Sequence, residues 1–290
     1  MKILRTPREA HEYVIAQRVD EQSVGIVPTM GALHAGHISL ATQSVRRCDC
    51  TIATIFVNPT QFAPDEDLDR YPRTFDQDCE LLSGAKVNAV FAPDAADMYP
   101  SGFSTYVLPP AVAASLEGVC RPEHFRGVAT VVLKLFQAVP ATHAFFGKKD
   151  YQQLKVIQSM VRDLNVSIEV VGCEIVRETD GLAMSSRNRY LTGDQRERSL
   201  LLSQSLQVAE RLISTGTKCV TTIENDMRSV LSAKATNSPG VDKIDYATVV
   251  DAETLSPIDQ LSPGSKTVAL IAAYVGSTRL IDNQEILVPA

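Results

Sequence analysis

The stretch Val24-Gly25-Ile26-Val27-Pro28-Thr29-Met30-Gly31-Ala32-Leu33-His34-Ala35-Gly36-His37 decides how the first half of the chain folds. Its β-branched opening predicts a strand over residues 24–29, and the residues after the glycines predict a helix over 36–47. Strand, tight turn and helix in that order begin a βαβ unit. The alternation continues: residues 51–57, 87–92, 144–146 and 168–176 read as strands, and 73–82, 125–138 and 151–164 as helices. Parallel strands joined by right-handed crossovers follow, hence a doubly wound parallel α/β sheet. After Val176 the pattern changes. Residues 194–213 and 221–235 read as two successive helices, Asn237-Ser238-Pro239-Gly240 breaks the chain, and 244–250, 267–275 and 280–288 read as strands. This predicts a smaller α+β domain over 177–290, after a first domain over 1–176.

Composition narrows the class of function. The 290 residues carry 28 Lys and Arg against 34 Asp and Glu, a net charge of −6, which argues against a nucleic-acid partner. The hydrophobic share of 44% is that of a globular chain able to fold without staples. Cys48, Cys50, Cys79, Cys120, Cys173 and Cys219 form no C-x-x-C pair and read as free thiols of a reducing compartment. Residues 1–10 hold no apolar signal segment, and the apolar run 268–275 is far shorter than the ~20 residues that span a bilayer. The expectation is a soluble, cytoplasmic protein with no membrane partner.

The chemistry concentrates in the quoted turn. Ligands of open α/β sheets bind at the carboxyl ends of strands, where this turn lies. Gly31 permits a tight turn, Gly36 allows close backbone approach, and a helix N-terminus offers N–H groups to phosphate. His34 and His37, two of only five histidines, flank Gly36. Further on, Leu182-Ala183-Met184-Ser185-Ser186-Arg187-Asn188 offers two hydroxyls and a guanidinium fork suited to a triphosphate. Three more stretches complete the set: Phe56-Val57-Asn58-Pro59-Thr60-Gln61-Phe62, Leu116-Glu117-Gly118 continuing to Arg121-Pro122 and His124-Phe125-Arg126-Gly127-Val128, and Phe146-Gly147-Lys148-Lys149-Asp150-Tyr151-Gln152-Gln153-Leu154.

The His-x-Gly-His turn and the Met-Ser-Ser-Arg loop resemble the nucleotide-binding motifs of the nucleotidyltransferase and class I aminoacyl-tRNA synthetase superfamily, with its Rossmann-like fold. All five stretches together resemble the pantothenate synthetase (pantoate–β-alanine ligase) family. The resemblance covers nearly all of residues 23–190 and is weaker over the last hundred. It implies ATP-dependent condensation of pantoate with β-alanine through a pantoyl-adenylate, releasing pyrophosphate and then AMP. It also implies magnesium on the triphosphate and a homodimer. A nucleotidyltransferase making a dinucleotide is the nearest rival, and the two glutamines and the Gly-Lys-Lys-Asp stretch count against it. A synthetase fragment lacks the basic surface it needs here, and a nucleotide sensor has less need of both histidines with the Ser-Ser-Arg loop.

Residue by residue, the resemblance implies that Met30, Gly31, Ala32, Leu33, His34, Ala35, Gly36 and His37 line the ATP site. His34 and His37 would meet the phosphates, and His37 would serve as proton or hydrogen-bond donor. Gly147, Lys148, Lys149 and Asp150 would approach the nucleotide, with Lys149 on phosphate and Asp150 on ribose. Val176 would meet adenine through its backbone, and Met184, Ser185, Ser186 and Arg187 would close over the triphosphate. Gln61 and Gln153 would hold pantoate, Gln61 also lying near β-alanine. His34, His37 and Lys149 form the catalytic set. The family usually carries an acidic or amide residue where Lys148 stands, so which of the two lysines reaches phosphate is open. Glu117, Arg121 and His124 read equally as site residues or as a structural network. No carboxylate cluster marks a protein-held metal, and magnesium bridging triphosphate oxygens needs few protein ligands.

Because the Ser185-Ser186-Arg187 loop follows the domain junction, the second domain is expected to move as a lid. Small-angle scattering should then give a smaller radius of gyration with ATP and pantoate than without them. Identical curves would remove a large closure.

Overall fold

The computed structural model describes residues 1–19, 21–64, 66–233 and 239–290. The end of the expected second helix of the 177–290 segment, at Ala235, and the Asn237-Ser238 part of the expected break lie outside the described residues. The elements run β1 (Lys2–Leu4), α1 (Pro7–Arg18), β2 (Val24–Val27), α2 (Ala35–Arg47), β3 (Cys50–Thr54), α3 (Phe75–Gly84) and β4 (Ala89–Phe91). They continue with α4 (Ala95–Met98), α5 (Glu117–Cys120), α6 (His124–Ala138), β5 (His143–Gly147), α7 (Tyr151–Asp163) and β6 (Glu169–Cys173). The last are α8 (Gly193–Ser214), α9 (Val220–Leu231), β7 (Lys243–Asp251), β8 (Lys266–Val275) and β9 (Thr278–Leu287). The chain divides into two compact units, one of residues 1–148 and 152–174, the other of 149–151 and 175–290.

In the first unit the strands are parallel and ordered β1-β4-β3-β2-β5-β6. Their side chains alternate between two cores, as the two-residue period of a strand requires. Ile26, Ile52, Phe91 and Phe146 pack with Val14 of α1, Val132 of α6 and Ile157 of α7. Their neighbours Val27, Ala53, Val90 and Phe145 pack with Leu40 of α2 and Leu82 of α3. Helices therefore cover both faces, and the sheet is doubly wound. Strand order reverses between β2 and β5, and the crevice for a ligand opens beyond the carboxyl ends of those two strands.

The opening β1–α1 pair was not expected from the sequence. A three-residue strand is too short for a periodic signal. The helix, however, announces itself locally: Thr6 Oγ1 accepts from Glu9 N, Glu9 takes the Thr6 N–H in return, and Pro7 fills the first turn. Expected strands also run too far. The segment read as 51–57 pairs as a strand only to Thr54: Ile55 N makes the last ladder bond, to Phe91 O, and Phe56 N bonds Thr29 O beyond the end of β2.

The second unit packs α8 and α9 on one face of the antiparallel sheet β7-β8-β9. Alternate β8 residues Ala269, Ile271, Ala273 and Val275 meet Leu202, Leu206, Ala209 and Ile213 of α8 and Ile223, Met227 and Leu231 of α9. Helical spacing on one partner and strand spacing on the other give one buried layer, an α+β arrangement.

Candidate active site

The turn after β2 is held from below. Thr29 Oγ1 donates to Thr54 O (2.5 Å) and accepts from Gly31 N (3.2 Å). Gly31 has φ +82°, and a Cβ there would lie 3.0 Å from Asp78 Oδ2 and 3.2 Å from Ile55 Cγ2, so only glycine fits. Ala32 follows in the left-handed region at φ +52°. The buried carboxylate of Asp78 on α3 accepts from Ala32 N (2.9 Å) and Leu33 N (2.8 Å), and from Thr74 Oγ1 (3.2 Å). Sequence reasoning missed Asp78. Its signal was an acid on the apolar side of a helix, which is rarely left without a function.

Helix α2 then starts on an unusual cap. His34 holds the N-cap position, its Nδ1 accepting from Gly36 N at 3.2 Å. Ser, Thr, Asp and Asn are the residues that cap best, so an imidazole here serves another purpose. With Nδ1 accepting, the neutral ring keeps its proton on Nε2. The ring of His37 lies 4.1 Å from that of His34, centroid to centroid. No acidic side chain stands in the first turn to offset the positive end of the helix. Both histidines expected at the phosphates thus come together at a cationic helix start.

Gln61 sits on the short turn Pro59–Gln61 beyond β3. Its Nε2 donates to Met30 Sδ (3.1 Å), and its Oε1 accepts from Asn58 Nδ2 (3.0 Å). An expected pantoate ligand therefore touches the first residue of the expected ATP turn. Asn58, only 1% exposed, steers it. The Asn58 amide donates also to Gly127 O (3.2 Å), and its Oδ1 accepts from Tyr99 OH (2.7 Å) and Thr60 Oγ1 (2.9 Å). Gly127 lets α6 come this close: a Cβ there would stand 2.3 Å from Thr60 O. The main-chain carbonyl of Gln61 accepts from His124 Nδ1 (3.0 Å). Arg121 lies between, its guanidinium forked onto Glu66 with two 2.6 Å bonds and 3.2 Å from His124 Nε2. Glu117 stands 4.0 Å from Arg121. Glu117, Arg121 and His124 thus form a connected network that supports Gln61.

At the end of β5, Lys148 Nζ donates to Glu174 Oε1 at 2.6 Å, while Lys149 Nζ is 4.0 Å from Asp150 Oδ1. Gln152 is buried and saturated: its Nε2 donates to Val112 O and Ser115 O, and its Oε1 accepts from Glu117 N. Its neighbour Gln153 is half-buried, on the first turn of α7. Gly147, Lys148 and Gln153 belong to the first unit, Lys149 and Asp150 to the second.

In the second unit, residues 176–184 fold back on themselves. Met184 N donates to Val176 O (3.0 Å), Glu178 N to Leu182 O (2.8 Å), and Gly181 turns the chain at φ +95°. Val176 thus already spends one carbonyl lone pair on Met184. Arg196 of α8 forks onto Glu178 (2.7 Å) and Asp180 (2.6 Å), and its bonds hold both carboxyls below the usual range. Asn188 Nδ2 donates to Glu178 Oε1 and Ala183 O. Ser185 Oγ caps the turn Ser186–Tyr190 by accepting from Arg187 N (3.3 Å). The Met184–Arg187 loop is therefore fixed at both of its ends within this unit. Among the described residues no three His, Cys, Asp or Glu side chains gather where they could hold a metal ion.

The sequence matches the family model for pantoate-beta-alanine ligase over residues 2–285. It is 54% identical over 269 residues to a pantothenate synthetase from Rhodopirellula baltica, covering 92% of each chain. It is 46% identical to one from Thermotoga petrophila, covering 98% of this chain and 99% of that one. The fold is similar to the crystal structure of pantothenate synthetase from Thermus thermophilus, with TM-score 0.90, 40% identity and coverage of 99% and 100%. It is also similar to pantoate-beta-alanine ligase from Francisella tularensis complexed with beta-gamma ATP and beta-alanine, with TM-score 0.79, 32% identity and coverage of 98% and 97%. The similarity extends well beyond residue 190, where the motifs had suggested it weakens.

The His124 contacts make a pH prediction. Burial, and after it the charge of Arg121, push its pKa from 6.5 down to about 4. Its partners agree: Nε2 faces a guanidinium that can only donate, so Nδ1 carries the single proton and gives it to Gln61 O. The unfolded chain takes up a second proton near pH 6.5 and the folded protein only near pH 4, so stability falls as pH drops through that window. The loss attributable to this ring approaches ~3 kcal/mol at its lower end. His124→Asn keeps a donor near Nδ1 and cannot titrate. Its melting temperature should fall less than that of the unaltered protein between pH 6.5 and 4, and parallel profiles would show that His124 stays neutral in neither state or in both.

Proposed function

Because the chain belongs to the pantoate-beta-alanine ligase family, a family of ligases, we propose that it joins pantoate to β-alanine in two half-reactions. In the first, a pantoate carboxylate oxygen attacks the α-phosphorus of ATP, the bond to the β-phosphate bridge breaks, and pyrophosphate leaves. In the second, the neutral amine of β-alanine attacks the acyl carbon, the bond to AMP breaks, and the amine gives up a proton as the amide of pantothenate forms. Pantoate's carboxylate is already ionised at neutral pH, so the first step needs no general base. It needs alignment and compensation of charge on the phosphates.

The observation that carries this reading is the contact of Gln61 Nε2 with Met30 Sδ, in the turn that leads to the paired imidazoles of His34 and His37. It ties an amide suited to a hydroxy acid to the turn that opens a helix start suited to phosphate. An amide both donates and accepts, which fits a substrate with hydroxyls and a carboxylate. Gln61 and Gln153 hold pantoate in this reading. The buried Gln152 amide is already bonded to Val112 O, Ser115 O and Glu117 N. Met30 to His37 and Gly147 to Asp150 bind ATP, Val176 meets adenine, and Met184 to Arg187 bind the triphosphate. Lys148 is engaged by Glu174, which favours Lys149 as the phosphate ligand. Magnesium would be held by the phosphates of the nucleotide substrate, a role that needs few protein ligands.

Mass spectrometry on purified protein tests the reaction. With magnesium, ATP and pantoate alone, pyrophosphate should appear once per site. Adding β-alanine should yield AMP and pantothenate in equal amounts, turnover after turnover. ATP binding without either product would leave the nucleotide site and remove the ligase.

His37→Ala should keep the fold, read by circular dichroism, and lower kcat for adenylate formation by ~10²–10³, the usual loss of one donor to developing charge. A near-normal rate would take His37 out of the mechanism.

A further inference from the structure

Strand β9 carries two consecutive buried polar residues, Asp282 and Asn283, each 2% exposed. Buried polar groups cost stability unless they are bonded, and the sheet ladder needs neither side chain. Each instead reaches a segment read above as binding nucleotide. Asn283 Nδ2 donates to the main-chain carbonyl of Lys149 at 2.8 Å. Asp282 takes the Arg177 guanidinium in a fork, Nη1 to Oδ2 at 2.7 Å and Nη2 to Oδ1 at 3.0 Å. Arg177 follows Val176 and donates onward to Gly181 O (3.1 Å) in the turn that leads to Met184. Asp282 Oδ1 also accepts from Asn283 N (2.8 Å), which joins the two arms.

A second tether holds the same short segment. The Tyr151 hydroxyl lies 2.9 Å from both Ala252 O and Glu285 Oε1, its single proton serving one acceptor at a time. Burial, then the bond to Glu285, push its pKa up, so it stays a donor. These bonds explain why 149–151 groups with 175–290, while Lys148 and Gln152 on either side group with the first unit.

We infer that Asn283, aligned by the Arg177–Asp282 pair, is a positioning residue that fixes the backbone of Lys149 and couples it to the 176–187 loop. The same small sheet thereby sets two groups of ATP contacts at once. This inference rests on the reading of Lys149 as a phosphate ligand. Removing the Asn283 amide frees the Lys149 carbonyl and lets the lysine wander, while pantoate and β-alanine contacts stay as they are.

The test is a double-mutant cycle on the full chain, with pantoate-dependent pyrophosphate release as the rate. Asn283→Ala should raise the KM for ATP about tenfold or more, the scale of a lost supporting contact, and leave the KM for β-alanine unchanged. Lys149→Ala should lose rate by itself, and adding Asn283→Ala to it should cost less than a further twofold. Multiplicative losses would overturn the inference, because Asn283 would then act without Lys149. Equal changes in both KM values would overturn it too, as a general loosening of the fold. A fully active Lys149→Ala would instead sink the reading of Lys149 itself, a result distinct from an impaired Lys149→Ala beside an unaffected Asn283→Ala. Should Asn283→Ala lose its melting transition, Tyr151→Phe takes its place in the same cycle. It deletes one hydroxyl from the second tether, and an unchanged KM for ATP would overturn the inference.

Discussion

Two hydrogen bonds to one buried carboxylate hold the turn on which the first unit's site is built. Ala32 stands at φ +52°, a conformation that costs a non-glycine residue on the order of 1 kcal/mol or more. Asp78 takes its N–H and that of Leu33, charge-assisted bonds that each contribute about 1.5–3 kcal/mol. The balance favours the strained turn, and the strained turn delivers His34 to the N-cap. Everything downstream inherits that placement: the start of α2, the His34–His37 pair and the contact between Met30 and Gln61. It also places a demand on the fold. Helix α3 must return under the β2–α2 turn, which the parallel β3–α3–β4 crossover achieves.

Much of this was legible in the sequence, and the reasons separate by range. The alternating strands and helices from residue 24 to 176 and the helix–helix–strand order after it are carried by periodicity, which is local. The histidine pair, Gln61 and the Met184–Arg187 loop are carried by motif. Three kinds of feature were out of reach. The β1 strand has only three residues, with Ile3 44% exposed on the outermost strand of the sheet. Strand ends were overestimated because an apolar run such as 51–57 continues past the last ladder bond, here Ile55 N to Phe91 O. Asp78 and Asn283 act on backbone groups 45 and 134 positions away, and no window along the chain contains both partners.

The network around Gln61 shows how a small residue can fix a polar one. Gly127 admits the Pro59–Gln61 turn against α6, where a methyl group would strike Thr60 O at 2.3 Å. That approach brings Gly127 O within reach of Asn58, and Asn58 in turn holds the Gln61 amide with its oxygen engaged. His124, on the same helix three residues earlier, secures the Gln61 carbonyl. In Glu66, burial alone would raise the carboxyl pKa, but the two bonds from Arg121 outweigh it and hold the group below its usual range. The Arg121 guanidinium is thereby forked onto Glu66. Glu117, Arg121 and His124, which read equally as site residues or as a structural network, are linked in the fold as a brace under Gln61.

The division of groups between the two units has a chemical logic. In the reading proposed above, the first holds the amides Gln61 and Gln153 and the two imidazoles, with Lys148 bonded to Glu174, and the second holds Lys149 and Arg187. A free carboxylic acid is itself an anion, and an exposed lysine or arginine beside its amide ligands would bind it with or without nucleotide. Such binding would stabilise the ground state and the transition state alike, and uniform stabilisation adds nothing to kcat. In the proposed reaction, cations assigned to the triphosphate would act where charge develops as pyrophosphate leaves. Asn283 and the Tyr151 tether hold the Lys149 segment to β9, while Lys148, one peptide bond away, bonds to Glu174.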